Sequence, residues 1–124
     1  MRGRALVRRE VLERMRDYDA LISPTNLNPP GRIEATIEKV ESAEDMARKV
    51  ILRRISTYPF SMANTPALSV PCGYTQSGLP VAMQIAAKPF DEAMVFRVGH
   101  AYERATEWHR RHPDLEKTLA GAHA

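Results

Sequence analysis

The side chains of this 124-residue sequence whose types suit covalent or metal chemistry are Cys72, the serines Ser56, Ser61 and Ser69, and the histidines His100, His109, His112 and His123. A thiolate at Cys72 would need a base within hydrogen-bond reach. The histidines are all C-terminal, so an ordinary strand-end cysteine between Pro71 and Gly73 is the stronger reading. His109 and His112 stand at i,i+3, a spacing that places two metal ligands on one helix face. Two arginines between them oppose a cation, and no carboxylate or cysteine completes a set. His100 and Glu103 read as a helix-surface pair. Ser69 falls inside a strand, and Ser56 and Ser61 flank Tyr58-Pro59-Phe60, where serine is common for turn reasons. No lysine stands at a recognisable catalytic spacing from any of them. There is no phosphate loop and no strand-to-helix nucleophile elbow. The expectation is a chain with no catalytic group, metal site or cofactor of its own.

The elements that position these residues read as alternating helix and strand. Over residues 4–17, Val7, Val11, Met15 and Tyr18 recur at helical spacing with Leu12 beside them, while Arg8, Arg9, Glu10, Glu13, Arg14 and Arg16 take the wetter face. Asp19 to Ser23 predicts a short strand ended by Pro24. The segment 24–36, with four residues of Pro and Gly, predicts stiff irregular loop. Ser42 suits an N-cap, and a helix over about 43–56 should turn Met46, Val50 and either Ile51 or Leu52 inward, until Tyr58-Pro59 ends it. Ala67 to Cys72 and Val81 to Ala87, joined by a glycine-containing turn, predict a hairpin. Pro71 suggests an edge or the end of a ladder. In the second strand Val81, Met83, Ile85 and Ala87 make a bulky face, and Ala82, Gln84 and Ala86 a small one. Asp91 then caps a helix whose stripe is Met94, Val98, Ala101, Ala105 and Trp108, widened by Val95 and Tyr102. Phe90 should staple onto Val95, and Pro113 should end the helix.

Size and charge narrow the function classes. A net charge of +3, with arginines spread along helices among glutamates, describes solvated faces. It does not describe a nucleic-acid surface, which interleaves basic runs with stacking aromatics. No stretch is long and apolar enough for a membrane span, and the N-terminus lacks the apolar core of a secretory signal. One cysteine permits no internal disulfide and fits a cytoplasmic location.

Several short motifs, in order, resemble the C-terminal part of the amidase-signature family. They are Tyr18-Asp-Ala-Leu-Ile-Ser-Pro-Thr25, Pro59 to Gly73 (Pro-Phe-Ser-Met-Ala-Asn-Thr-Pro-Ala-Leu-Ser-Val-Pro-Cys-Gly), Gly78 to Gln84 (Gly-Leu-Pro-Val-Ala-Met-Gln), and Phe90-Asp-Glu92. The match runs over most of residues 18–109. Four positions depart from the family pattern: Ser61 replaces an Asn, and Asn64, Ala82 and Ala87 replace glycines. Asn tolerates left-handed backbone angles best among the other residues, so the turn at Asn64 should survive.

The resemblance implies an α/β fold, the C-terminal part of a mixed-sheet amidase-signature domain, here a β-hairpin with flanking helices. It would occupy residues 1–113, with a tail at 114–124. The family cleaves amide bonds through an acyl-serine intermediate using a Ser-Ser-Lys constellation, which lies upstream of the matched region. By that analogy Phe60, Met62, Asn64 and Thr65 face the acyl or amine groups of a small-molecule amide substrate in the full-length enzyme. The alternative for Phe60 and Met62 is that they plug the core. Two further readings stay open. One is a non-catalytic chain that complements an N-terminal half or self-associates. The other is part of the glutamine-hydrolysing subunit of a transfer-RNA-dependent amidotransferase.

Overall fold

The computed structural model describes residues 2–30 and 42–113. The expected tail at 114–124, and the part of the Pro-rich loop from 31 to 36, lie outside the described residues. The order is α1 (Arg2–Arg14), β1 (Ala20–Pro24), α2 (Ala43–Arg54), α3 (Tyr58–Ala63), β2 (Ala67–Tyr74), β3 (Pro80–Ala87) and α4 (Glu92–Ala105), then a short 3-10 turn at Trp108–Arg110. The strands form one antiparallel sheet with β3 in the centre, between β1 and β2. The fold class is α/β, as the motif order implied. The hairpin is present, and Pro71 does lie on an edge strand. The ladder slips between Pro71 and Gly73, so Cys72 sits in a bulge.

The alternation along β3 decides the two faces of the sheet. Cross-strand partners point the same way. Ile22, Ile85 and Leu68 therefore share one face, and Ser23, Gln84 and Ser69 the other. On the first face Val70, Ile85 and Ala87 meet Val95 of α4 in a buried core, with Leu68, Met83, Met94, Val98 and Tyr102 packed around it. Gly99 lets α4 come close: a Cβ there would stand 2.6 Å from Leu68 Cδ2. On the second face, Leu21 shares a small cavity with Val11 and Arg14 of α1 and with Pro59 and Phe60. The packed pair α1 and α3 adjoins this side, with Met15 fully buried.

Several local expectations are corrected. Tyr18 is exposed, because α1 stops at Arg14 and the turn that follows takes Tyr18 off the helical stripe. Met46, Val50, Ile51 and Leu52 of α2 are also exposed, since no other described element packs extensively on that helix. Its Ser42 cap is as expected, with the hydroxyl accepting from Asp45 N at 3.0 Å. Tyr58-Pro59 does not end helical structure but begins α3, because proline fits the first turn, where its missing N–H has no intrahelical partner.

Asp91 caps α4, accepting from Met94 N at 3.2 Å. Phe90 does not staple, because its left-handed backbone (φ 64°) leaves the ring 93% exposed. The helix ends at Ala105, not near Pro113. Thr106 is extended, and its hydroxyl donates to the Tyr102 carbonyl at 3.0 Å. Ala101 and Ala105 therefore stay exposed. Trp108 leaves the helical stripe to meet Tyr74, with ring centroids 6.1 Å apart.

Candidate functional site

The four residues expected at a pocket wall gather at the C-terminal end of α3. Phe60 and Met62 lie on the helix, Asn64 caps it, and Thr65 leads toward β2. The segment is thus a helix end and not a loop. Asn64 takes φ 55° and ψ 47°, the left-handed conformation for which the family's glycine is suited. Thr65 folds back, its N–H donating to the Phe60 carbonyl at 3.2 Å and its hydroxyl to the same oxygen at 3.3 Å.

The last carbonyls of a helix lack intrahelical donors and carry partial negative charge. Arg4 and Arg8, one helical turn apart on α1, supply the missing donors. Arg4 Nε donates to the Met62 carbonyl at 3.2 Å. The Arg4 guanidinium also donates to Asn64 Oδ1, and that of Arg8 to the Ala63 carbonyl. Arg8 is therefore half-buried, not part of a purely wet face. This clamp was not read in the sequence. Its local signal is the i,i+4 pair of arginines, but nothing in the sequence says which helix end they meet. Phe60 is half-buried and lines a cavity of about 230 Å³ with Glu10, Val11, Arg14, Leu21 and Pro59, while Met62 and Asn64 are exposed.

A second polar cluster lies on the small face of the sheet. Gln84, only 6% exposed, donates from Nε2 to Ser23 Oγ and to the Ser56 carbonyl, each at 3.2 Å. Ser56 Oγ donates to the Thr25 carbonyl at 2.7 Å, and the Thr25 and Ser69 hydroxyls share a bond of 2.9 Å. Ser56 and Ser69 thus have structural partners, and Ser61 is exposed on α3. Lys49 pairs with Asp45 at 2.9 Å, and Lys88 Nζ donates to the Arg16 carbonyl at 3.2 Å. His109 falls in the 3-10 turn and His112 beyond it, so they do not share a helix face. Among the described residues no group of three or more His, Cys, Asp or Glu side chains is placed to hold a metal ion.

An open groove of about 790 Å³ runs between α1 and the end of β3, rimmed by Arg8, Arg9, Arg16, Lys88 and Glu13. Ala5, Leu12 and Pro89 complete its lining. Taken together, the arrangement can shape and hold a surface.

Residues 1–96 match the family described as Amidase. The chain belongs to the amidase family. It is 42% identical over 112 residues to a glutamyl-tRNA(Gln) amidotransferase subunit of Myxococcus xanthus, covering 90% of this chain and 22% of that protein. The corresponding subunit of Geobacillus thermodenitrificans is 41% identical, with 90% and 21% covered. Among solved structures, the corresponding Thermotoga maritima protein superposes with a TM-score of 0.64 at 30% identity, over 78% of this chain and 20% of that one. A 6-aminohexanoate cyclic dimer hydrolase, solved with its substrate, gives a TM-score of 0.69 at 26% identity, over 83% and 23%. The chain spans about a fifth of the length of these relatives. This amidase-family portion is of the C-terminal type, in agreement with the motif order from Tyr18 to Phe90. No described helix is long and apolar enough to cross a membrane.

Proposed function

We propose that this chain forms the C-terminal wall of an amide hydrolase, in which an acyl-serine forms on catalytic residues outside it. Phe60, Met62, Asn64 and Thr65 present that wall to a small amide, and the chain works in the cytoplasm without a cofactor. The observation that carries the reading is the Amidase match over residues 1–96, together with the αL helix end at Asn64 in the motif's glycine position. Its counterpart is the rest of an amidase core, whether joined to these residues or carried by a second polypeptide. The test mixes this chain with the part of the Myxococcus xanthus relative that it does not match, and follows ammonia release from glutamine and from a short aliphatic amide. Turnover is expected in the mixture and not from the chain alone. Turnover by the purified chain, with contaminating hydrolases excluded, overturns the reading.

A second reading, self-association, draws on the open outer sides of β1 and β2 and on the exposed apolar side chains of α2. Sedimentation of a monomer with no concentration dependence counts against it. The amidotransferase type stays the alternative within the amide-hydrolase reading, and the curated relatives support it.

A further inference from the structure

We propose that Gln84 is a positioning residue: its buried amide ties the central strand to the α2–α3 turn and thereby sets where the first turn of α3, and with it Phe60 of the proposed wall, stands. A primary amide has two N–H donors on one rigid plane. In Gln84 the nitrogen serves two acceptors on different segments, Ser23 Oγ on β1 and the Ser56 carbonyl at the turn, both at 3.2 Å. Ser56 is held from its other side as well, through its hydroxyl to the Thr25 carbonyl at 2.7 Å. Thr25 in turn reaches Ser69 on β2. The turn before α3 is thus tied to β3 and β1 through Gln84, and separately to Thr25, and from there to Ser69 of β2, through the Ser56 hydroxyl.

The geometry favours positioning over general packing. Gln84 faces away from the core built on Ile85, Val70 and Val95, which α4 seals without it. Ser56 is followed at once by Thr57, the N-cap of α3, whose carbonyl accepts from Ser61 N at 3.2 Å. A shift of Ser56 therefore moves the first turn of α3, while the far end of that helix stays held by Arg4 and Arg8. Gln84 bonds the Ser56 carbonyl directly, so the loss should appear first in this segment. The functional meaning rests on the pocket-wall reading; the tie itself is measured on this chain alone.

Hydrogen exchange on the full chain, followed by NMR, tests it. In the unaltered protein the Gln84 side-chain amide protons should exchange at least about tenfold more slowly than those of exposed Gln76. Gln84→Met, similar in length but without donors, should lower protection of the Ser61 amide, which bonds the Thr57 carbonyl in the first turn of α3, by about tenfold. The Thr75 amide, which bonds Leu79 across the hairpin at 2.8 Å, should stay within about twofold of its original protection. Gln84→Glu supplies a donor only when protonated, and burial raises its carboxyl above the usual value of about 4.3. It should recover part of the protection at about pH 4 and lose it near neutrality, relative to the unaltered chain at each pH. Side-chain exchange of Gln84 as fast as Gln76 overturns the proposal, as does equal loosening of Thr75 and Ser61. If Gln84→Met does not fold, the comparison of Gln84 with Gln76 in the unaltered chain decides. A wrong pocket-wall reading shows separately, as this exchange pattern accompanied by unchanged amide turnover of the Gln84→Met mixture.

Discussion

Among the described residues, two other than glycine, Asn64 and Phe90, hold left-handed backbone angles, and they differ in what surrounds them. For most side chains that conformation costs on the order of 1–2 kcal/mol, and asparagine tolerates it best. Asn64 also gives its side-chain oxygen to Arg4, a bond that glycine cannot make. The family-type turn therefore survives the replacement and gains an anchor on α1. Phe90 has no such return, since its ring is 93% exposed. Phe90→Gly should therefore stabilise the chain by about 0.5–1 kcal/mol, the relief of strain exceeding the entropy that glycine adds to the unfolded state. Urea unfolding measures this, and a loss of stability would restore the hydrophobic staple that the sequence suggested.

At the scale of elements, boundaries and faces follow from the match between local signals and available neighbours. Asp91 and Ser42 cap α4 and α2 as their positions predict, because a cap uses only donors within the next turn. The inward face of α4 was only partly legible. Met94, Val95, Val98 and Tyr102 face the sheet, while Ala101 and Ala105 do not, and Gly99 makes the closest approach. A glycine in a helix carries no apolar signal, so its packing role shows only when Leu68 of β2 is brought opposite. Gly99→Val should lower stability by about 2 kcal/mol through overpacking against Leu68 and Ile85. Thermal or urea denaturation checks it, and a neutral result would mean that α4 can slide away from β2 without cost.

For the whole molecule, the largest departure from the sequence reading is α2. Its apolar side chains were expected to be inward, yet Ile51 is 53% and Leu52 54% exposed. The periodicity is real, but its counterpart is not among the described elements of this chain, which spans about a fifth of its relatives' length. Under the amidase-core proposal, this exposed row is where the rest of that core would pack. Ile51→Gln and Leu52→Gln should each change the stability of the isolated chain by less than about 0.5 kcal/mol. The pair together should lower amide turnover in the mixing experiment by about tenfold or more, since burying two such side chains contributes about 1.5–3 kcal/mol each. Unchanged turnover would place the partner elsewhere.

The sequence by itself determined what depends on near neighbours along the chain. The caps at Ser42 and Asp91, the hairpin across Gly78, the alternation of β3, and the ordered motifs that mark an amidase all rest on spacings of a few residues. The left-handed turn at Asn64 was legible there too, from the glycine position of its motif. Only the tertiary structure decided what those residues touch. It set β1 beside β3, turned the Tyr58–Ala63 segment into a helix, closed its end with Arg4 and Arg8 from more than fifty positions away, and buried Gln84 against Ser56. The reason is physical. Caps and turns satisfy backbone donors within one turn of chain, whereas a side chain's burial and its distant partners depend on which other segments the fold brings against it.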